Sequence, residues 1–246
     1  MMQTEFLIDL KPLTGAVLVE ATAEEPLDPE LTQFIEANVR NAALLVSSQA
    51  LSPAGREARM DVARLDVTPD SQSFSCELDC DTVPPSTWRV LAGLLSAFDM
   101  ASATLTALSF KHQGHERAMC SEREVLGVPY PERVAEPGFP VSLSRNRGHR
   151  ASLEIEVSDT LAKAVRAEIA SALNAWLRTC QGGFFADGKL PVTAAHDLPR
   201  MKDVAASLLV ARFDIWTVND KAFDAVVNML SHFHRKHDGI RGVKVY

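Results

Sequence analysis

One glycine-rich stretch has the residue types and the spacing of a phosphate-binding loop. Gly183, Gly188 and Lys189 match the pattern GxxxxGK, in which backbone N–H groups between a strand and a helix surround a phosphate. Leu190 replaces the serine or threonine that would bind magnesium, Pro191 follows it, and a helical pattern precedes the loop. The sequence therefore predicts an ordinary exposed loop and no nucleotide site.

A second group combines two imidazoles with a carboxylate. His112, His115 and Glu116 form the pattern HxxHE, which can bind a metal ion when a helix places the three side chains on one face. Gly114 lies between them, and the apolar residues around the group show no helical periodicity. We expect a solvated turn here and no metal site.

Three further histidines, His232, His234 and His237, lie near the end of the last predicted helix. Basic side chains at a helix C-terminus stabilise the helix dipole, and Gly239 is the residue expected to follow the helix in a left-handed conformation. Helix capping explains the group without a metal or a proton relay. The sequence predicts no metal and no cofactor.

The chain carries none of the common catalytic signatures: there is no GxSxG, no HExxH, no catalytic Cys–His signature and no GxGxxG. Its cysteines form no CxxC pair and have no zinc-ligand spacing. We therefore predict a protein that is not an enzyme. The cysteines are predicted to be small buried hydrophobic residues of a reducing compartment: Cys76, Cys80, Cys120 and Cys180.

The composition is that of an ordinary globular protein of one large or two smaller domains. The chain has 246 residues, of which 46% are hydrophobic and 23% are charged. Its longest apolar stretches, such as Ala42–Val46, are far shorter than the roughly 18–20 residues of a membrane span. The N-terminus lacks the features of a secretory signal. We expect a cytoplasmic protein with no membrane partner.

The net charge of -7 is distributed unevenly along the chain. Residues 1–110 contain 6 Lys and Arg against 16 Asp and Glu, a net charge of -10, whereas residues 111–246 contain 19 against 16, a net charge of +3. Such an asymmetry between halves indicates a partner that is selected by charge.

An internal repeat becomes visible when the sequence is shifted by 135 positions. Residues 74–110 then align with residues 209–245 without a gap, and the apolar phase is kept through a strand, a helix and a second strand. Trp88 falls on Phe223, and Phe98 falls on Phe233. We expect these paired aromatic residues to be buried at equivalent positions.

Each copy is predicted to have the order β-α-β-β-α-β. Period-two alternation indicates the first strand of each copy, at Val17–Ala21 and Leu153–Val157, and a helical pattern follows it. The sequence thus predicts an α+β fold: a tandem duplication of a ferredoxin-like βαββαβ unit, with helices on one face of each antiparallel sheet. The predicted units are residues 1–110 and 151–246, joined by a connector at 111–150. The weaker second strand of the second copy is predicted at Leu190–His196, and an added edge strand at Phe6–Leu10.

The predicted open face of the first sheet is rich in carboxylates. If Phe74, Cys76, Leu78 and Cys80 face the helices, the residues between them face outward. RNA binding by such a sheet would need aromatic and basic residues there, so nucleic acid is not expected as a partner. The face is either solvated or docks a basic protein, and its predicted binding residues are Glu20, Asp66, Glu77, Asp79 and Asp81.

These observations lead to three functional hypotheses. The first is a non-catalytic cytoplasmic protein whose acidic half docks a basic partner, for instance an immunity protein that neutralises a nuclease toxin. The second is a regulatory protein that holds a small molecule between the two copies. The third is an enzyme without a readable motif, whose acid, base or ligand groups would be His149, His196 and the histidines of residues 232–237.

Overall fold

A computed structural model describes the following parts of the chain: residues 12–51, 57–84, 87–88, 105–113, 115–121, 131–144, 150–181, 202–205, 207–214 and 220–246. These residues form an α+β fold with two antiparallel-rich sheets and three helices. None of the described helices is long and apolar enough to cross a membrane. The edge strand predicted at Phe6–Leu10 lies outside the described residues.

The first sheet has five strands in the order β2-β3-β1-β4-β5, and every neighbouring pair is antiparallel. One helix follows the first strand and packs against β2. The elements of this half are β1 (Leu13–Ala23), α1 (Pro29–Ser47), β2 (Arg59–Val67), β3 (Ser73–Val83), β4 (Leu105–His112) and β5 (His115–Ser121).

The second sheet also has five strands, in the order β6-β10-β7-β9-β8. The short strand β6 runs parallel to β10, and the other pairs are antiparallel. The segment predicted as a strand at Leu190–His196 lies outside the described residues. The elements of this half are β6 (Val141–Leu143), β7 (Arg150–Val157), α2 (Lys163–Gln181), β8 (Lys202–Ala205), β9 (Leu208–Asp214), α3 (Ala222–His237) and β10 (Ile240–Val245).

Four strands of each sheet follow the same order, β2-β3-β1-β4 in the first and β8-β9-β7-β10 in the second. Their pairing register also agrees. Ala21 pairs with Phe74 and Leu108, and Ile155 pairs with Leu209 and Val243, so both partner strands are offset by 135 positions. The aligned residues Trp88 and Phe223 are both buried, and Phe98 lies outside the described residues.

The helices lie between the two sheets. α1 contacts both β2 and α2, and α3 contacts both α2 and β10. The buried apolar residues of both sheets and all three helices belong to one continuous cluster. α3 is buried nearly all round, from Ala222 to Phe233, as expected of a helix with neighbours on every side. Each sheet therefore turns one face to the helices and leaves the other face open.

Residues 131–140, which we call the strap, lie against α3. The backbone N–H of Val134 donates a hydrogen bond of 2.8 Å to Oδ1 of Asn228. Nδ2 of Asn228 donates one of 2.8 Å to the carbonyl of Glu132. The ring of Phe139 meets that of His234 edge to face, with 5.6 Å between the centroids. The strap is thus fixed by a buried amide and an aromatic contact.

Candidate functional site

The outward side of β3 carries three exposed carboxylates. Phe74, Cys76, Leu78 and Cys80 are at most 3% exposed and face α1, because alternate residues of a strand point to opposite faces. The residues between them point to the open face, and those with carboxylates are Glu77, Asp79 and Asp81.

Register places the other two predicted residues on the same face. Ser75 of β3 points outward and lies directly opposite Glu20 of β1 and Asp66 of β2. Directly opposed residues of neighbouring strands point to the same side of a sheet. The five residues predicted for partner binding therefore share one open surface, which we call the acidic face: Glu20, Asp66, Glu77, Asp79 and Asp81.

Three cations on this open face pair with carboxylates of the same face. Arg64 pairs with Asp66 at 2.8 Å, and Lys111 of β4 pairs with Glu20. A further pair, between Arg59 and Asp61 at 2.8 Å, adds one carboxylate that the sequence reasoning did not select. Exposed pairs of this kind contribute about 0–1 kcal/mol each, so they matter here for charge more than for stability.

These three cations were not predicted from the sequence. Two of the pairs join residues i and i+2 on β2, a spacing that puts both side chains on one side of a strand, and this signal was available in the sequence. The third pair joins Lys111 to Glu20 across two strands that are 91 positions apart in the chain, so only the register reveals it.

Glu77, Asp79 and Asp81 keep no cation within 4.0 Å among the described residues. Asp81 accepts a hydrogen bond of 2.7 Å from the hydroxyl of Thr82, and Asp79 lies directly opposite Asp61 on β2. Like charges opposed across a sheet cost about 0.2–1 kcal/mol. Counting the described side chains of this face, six carboxylates stand against three cations, a net charge of -3.

The centre of the open face is apolar. Leu18 is half-buried and lies opposite Glu77 on one side and Lys111 on the other. Ala16, which is exposed, lies opposite Asp79. An apolar centre with charged surroundings is the usual anatomy of a protein–protein contact.

On the open face of the second sheet, the charged groups that lack a partner are cations, whereas on the acidic face they are carboxylates. Glu156 pairs with Lys244 at 2.6 Å, and the hydrogen bond and charge of Glu156 raise the pKa of Lys244. The hydroxyl of Tyr246 donates a hydrogen bond to Glu154. The face, which we call the second open face, retains two exposed cations with no carboxylate partner among the described residues: Lys202 and Arg212.

Two of the described histidines, His112 and His234, contribute to the packing of the fold, and His112 is buried and not solvated as the sequence predicted. His112 lies at the end of β4, paired with His115 of β5 across a hairpin turn, and is 6% exposed with its Nε2 3.1 Å from the carbonyl of Thr14. At the end of α3 the left-handed position is taken by Asp238 and not by Gly239 as the sequence predicted. Gly239 is instead closely packed, because a Cβ there would clash with the side chain of Leu161.

No group of three potential ligands that could hold a metal ion occurs within the described ranges. The loop of residues 183–189, His149 and His196 lie outside them. A small apolar cavity of about 10 Å³ between α1 and the first sheet is lined in part by Cys76. It offers about the space of one water molecule, which is too small for a metabolite.

The buried thiols of Cys76, Cys80 and Cys180 are expected to be unreactive. Burial raises the pKa of both Cys76 and Cys80 to about 12, and it raises the pKa of Cys180 well above its usual value. A thiol with such a pKa carries almost no thiolate at neutral pH, and the thiolate is the reactive form. Among the described residues, the candidate site is the open surface of the first sheet.

Comparison with known proteins gives no relative from which a function could be transferred: no family model matches the chain, and no curated protein is significantly similar to it in sequence.

Proposed function

We propose that the chain is a tandem duplication of a ferredoxin-like βαββαβ unit and acts as a non-catalytic protein that binds a basic protein partner. The common strand order and register of the two sheets support the duplication. The two units are residues 1–110 and 151–246, with 111–150 between them. The buried free thiols suit a reducing compartment, and we propose the cytoplasm.

The observation that carries the binding proposal is the row of free carboxylates on β3. Glu77, Asp79 and Asp81 are exposed, point the same way and lie along about 13 Å of one strand. Arg59 and Arg64 of β2 lie directly opposite Asp81 and Glu77, but they pair with Asp61 and Asp66, so the three carboxylates of β3 remain open to a partner's lysines and arginines. The arrangement favours a basic ligand surface.

Charge of this kind acts mainly on encounter and on the choice of partner. A negative face attracts a basic protein from beyond contact distance and raises the association rate, while like-charged proteins are repelled. Leu18 at the centre of the face supplies apolar area that a bound partner would bury. An immunity protein that covers the basic active site of a nuclease toxin is the specific case that we propose.

The test uses charge reversal on β3. A partner is captured from the native host with the wild-type chain, and its association is then measured at about 50 and 150 mM salt. The variant Glu77→Lys/Asp79→Lys should associate about tenfold more slowly, and its rate should depend less on salt, because long-range attraction is screened over about 8–10 Å at physiological salt.

The matched control is Glu132→Lys/Glu136→Lys, which changes the net charge equally on the exposed strap. This variant should keep most of the association rate. If the association rate fell equally in both variants, net charge alone would explain the effect. If it did not fall in the β3 variant, the acidic face would not be the binding surface.

A further inference from the structure

The two open faces carry opposite free charges at corresponding places. Glu77 on β3 and Arg212 on β9 are 135 positions apart, and each lies on the third strand of its unit, opposite the outward residue of the central strand: Leu18 for Glu77 and Ser152 for Arg212. On the first face the cations are paired and carboxylates remain. On the second open face Lys244 pairs with Glu156, and Tyr246 donates a hydrogen bond to Glu154, which keeps its charge. Lys202 and Arg212 remain without a carboxylate partner among the described residues, so these groups give three cations against two carboxylates.

The two faces cannot meet within one molecule. The helices lie between the sheets, so the open faces point away from each other. Complementary charge can be satisfied only between molecules, when the acidic face of one copy meets the second open face of another. Such a contact joins two different surfaces and leaves one of each kind free, so it adds copies head to tail.

The apolar parts of the faces also correspond. The second open face carries Leu208 and Val210, which are half-buried on the outward side of β9, next to Arg212 and Lys202. The acidic face carries Leu18 at its centre. Stacking the two faces would bury apolar area in the middle and leave the charged groups around it, where they remain partly hydrated.

We propose that the acidic face also binds a second copy of this chain, which presents its second open face; this inference rests on the proposed function of the acidic face as a surface that binds cationic groups. The five strands of the second sheet contain 28 residues, and at about 3.3 Å per residue and about 4.8 Å between strands they give roughly 440 Å² on each side and roughly 900 Å² in total. Contacts of that size are at the small end for specific association and are commonly weak and reversible. The assembly is therefore salt-sensitive and dependent on concentration.

The experiment is sedimentation velocity of the full chain over a range of concentrations at about 50 and 500 mM salt. At low salt the weight-average mass of the wild type should rise with concentration above the 26.9 kDa of one chain, and at high salt it should return to that mass. Glu77→Arg alone and Arg212→Glu alone should each weaken association about tenfold. Glu132→Arg, which changes the charge equally on the strap, should leave it unchanged.

A mixture of the two single variants tests whether Glu77 of one copy meets Arg212 of another. The reversed first face of Glu77→Arg then meets the reversed second face of Arg212→Glu, and the unreversed faces also meet, so the mixture should associate as the wild type does. Circular dichroism of each variant checks that the fold is kept. A chain that stays at 26.9 kDa at every concentration overturns the inference, as does a mixture that fails to recover. Binding of an unrelated basic protein through Glu77 without self-association would overturn it while leaving the proposed function intact.

Discussion

Lys111 and Tyr246 occupy the same place in the two sheets. They are 135 positions apart, and each contacts the glutamate of the neighbouring central strand, Glu20 for Lys111 and Glu154 for Tyr246. The contact is an ion pair in the first sheet and a hydrogen bond from a hydroxyl in the second. The same position is thus filled with different chemistry, and a cation neutralises the glutamate only in the first sheet.

Replacing Asn228 should loosen the strap. Asn228→Ala leaves the N–H of Val134 and the carbonyl of Glu132 without their side-chain partner in a buried place, and a buried unpaired polar group costs about 1–3 kcal/mol. We expect the free energy of unfolding, measured by urea denaturation, to fall by about 2 kcal/mol.

The control is Asn38→Ala, another buried asparagine in a helix. Within the part of the chain that the structure describes, its Oδ1 has no hydrogen-bond partner, and its Nδ2 donates to the carbonyl of Phe34 one turn earlier. The loss should stay below about 0.5 kcal/mol, because removing an unpaired polar atom from the interior offsets the lost bond. Similar losses in both variants would contradict the role given to Asn228.

Adding a methyl group at Gly138 should destabilise the protein more than adding one at Gly15. Both glycines have positive φ, +88° and +104°, so alanine is strained at either place. At Gly138 the added Cβ would also lie 2.7 Å from Cδ2 of His234, whereas at Gly15 the nearest atom is 4.0 Å away. We expect Gly138→Ala to lower the thermal midpoint further than Gly15→Ala does.

The steric part of that effect can be isolated by a double-mutant cycle. With His234→Ala in the background, Gly138→Ala should cost no more than the backbone strain, so the two substitutions should couple with a negative interaction energy. If the cost of Gly138→Ala is the same with and without the imidazole, the close contact does not contribute.

Acid should weaken the fold in part through His232. Burial lowers the pKa of this imidazole below its ordinary 6.5, and Arg235 and Lys236 lower it further, while Glu57 and Glu168 act in the opposite sense. The unfolded chain then takes up the proton at a higher pH than the folded chain does. The contribution of this group to the free energy of unfolding is fully present above about pH 6.5. It is lost as the pH falls from there to the lower pKa of the folded protein.

Urea midpoints at pH 7.5 and 5.5 check this prediction. The wild type should lose more stability between the two pH values than His232→Gln, which carries no titrating group at this position. A larger loss in the glutamine variant would show that the sign is wrong.

The buried thiols should resist alkylation in the native protein. In a Cys120→Ser variant the remaining thiols are Cys76, Cys80 and Cys180, and all three are buried with a raised pKa. A thiol reagent should find none that reacts quickly under native conditions and three in denaturant. Rapid labelling of the native protein at Cys76 or Cys80 would mean that β3 does not hold its inner face closed against α1.

Local periodicity was enough to predict the strand β3 and its two faces. Alternation from Phe74 to Cys80 depends only on residues next to one another in the chain, and the apolar side is indeed buried. Glu20 and Asp66 were predicted to share this face, but their position directly opposite Ser75 depends on the register of the strands, which only the pairing in the structure gives.

Features that depend on distant residues could not be predicted. The partners of Asn228 are 94, 96 and 178 positions away in the chain, so nothing near it in the sequence marks it as a buried link. The same holds for β5 and β6, which lie within residues 111–150 and extend the two sheets at their edges. These segments form strands because they pair with β4 and β10, and their own sequences show no strong alternation of apolar and polar residues.

The meeting of α1 with α2 has a consequence for synthesis of the protein. β1 emerges from the ribosome early, yet both of its neighbours, β3 and β4, follow later, so the first sheet cannot close until residue 112 has been translated. Even then, the side of α1 that contacts α2 stays uncovered until residues 163–181 follow. A fragment that ends between these points would leave the residues of α1 that contact α2 exposed, and surface uncovered in this way makes an incomplete chain prone to aggregation.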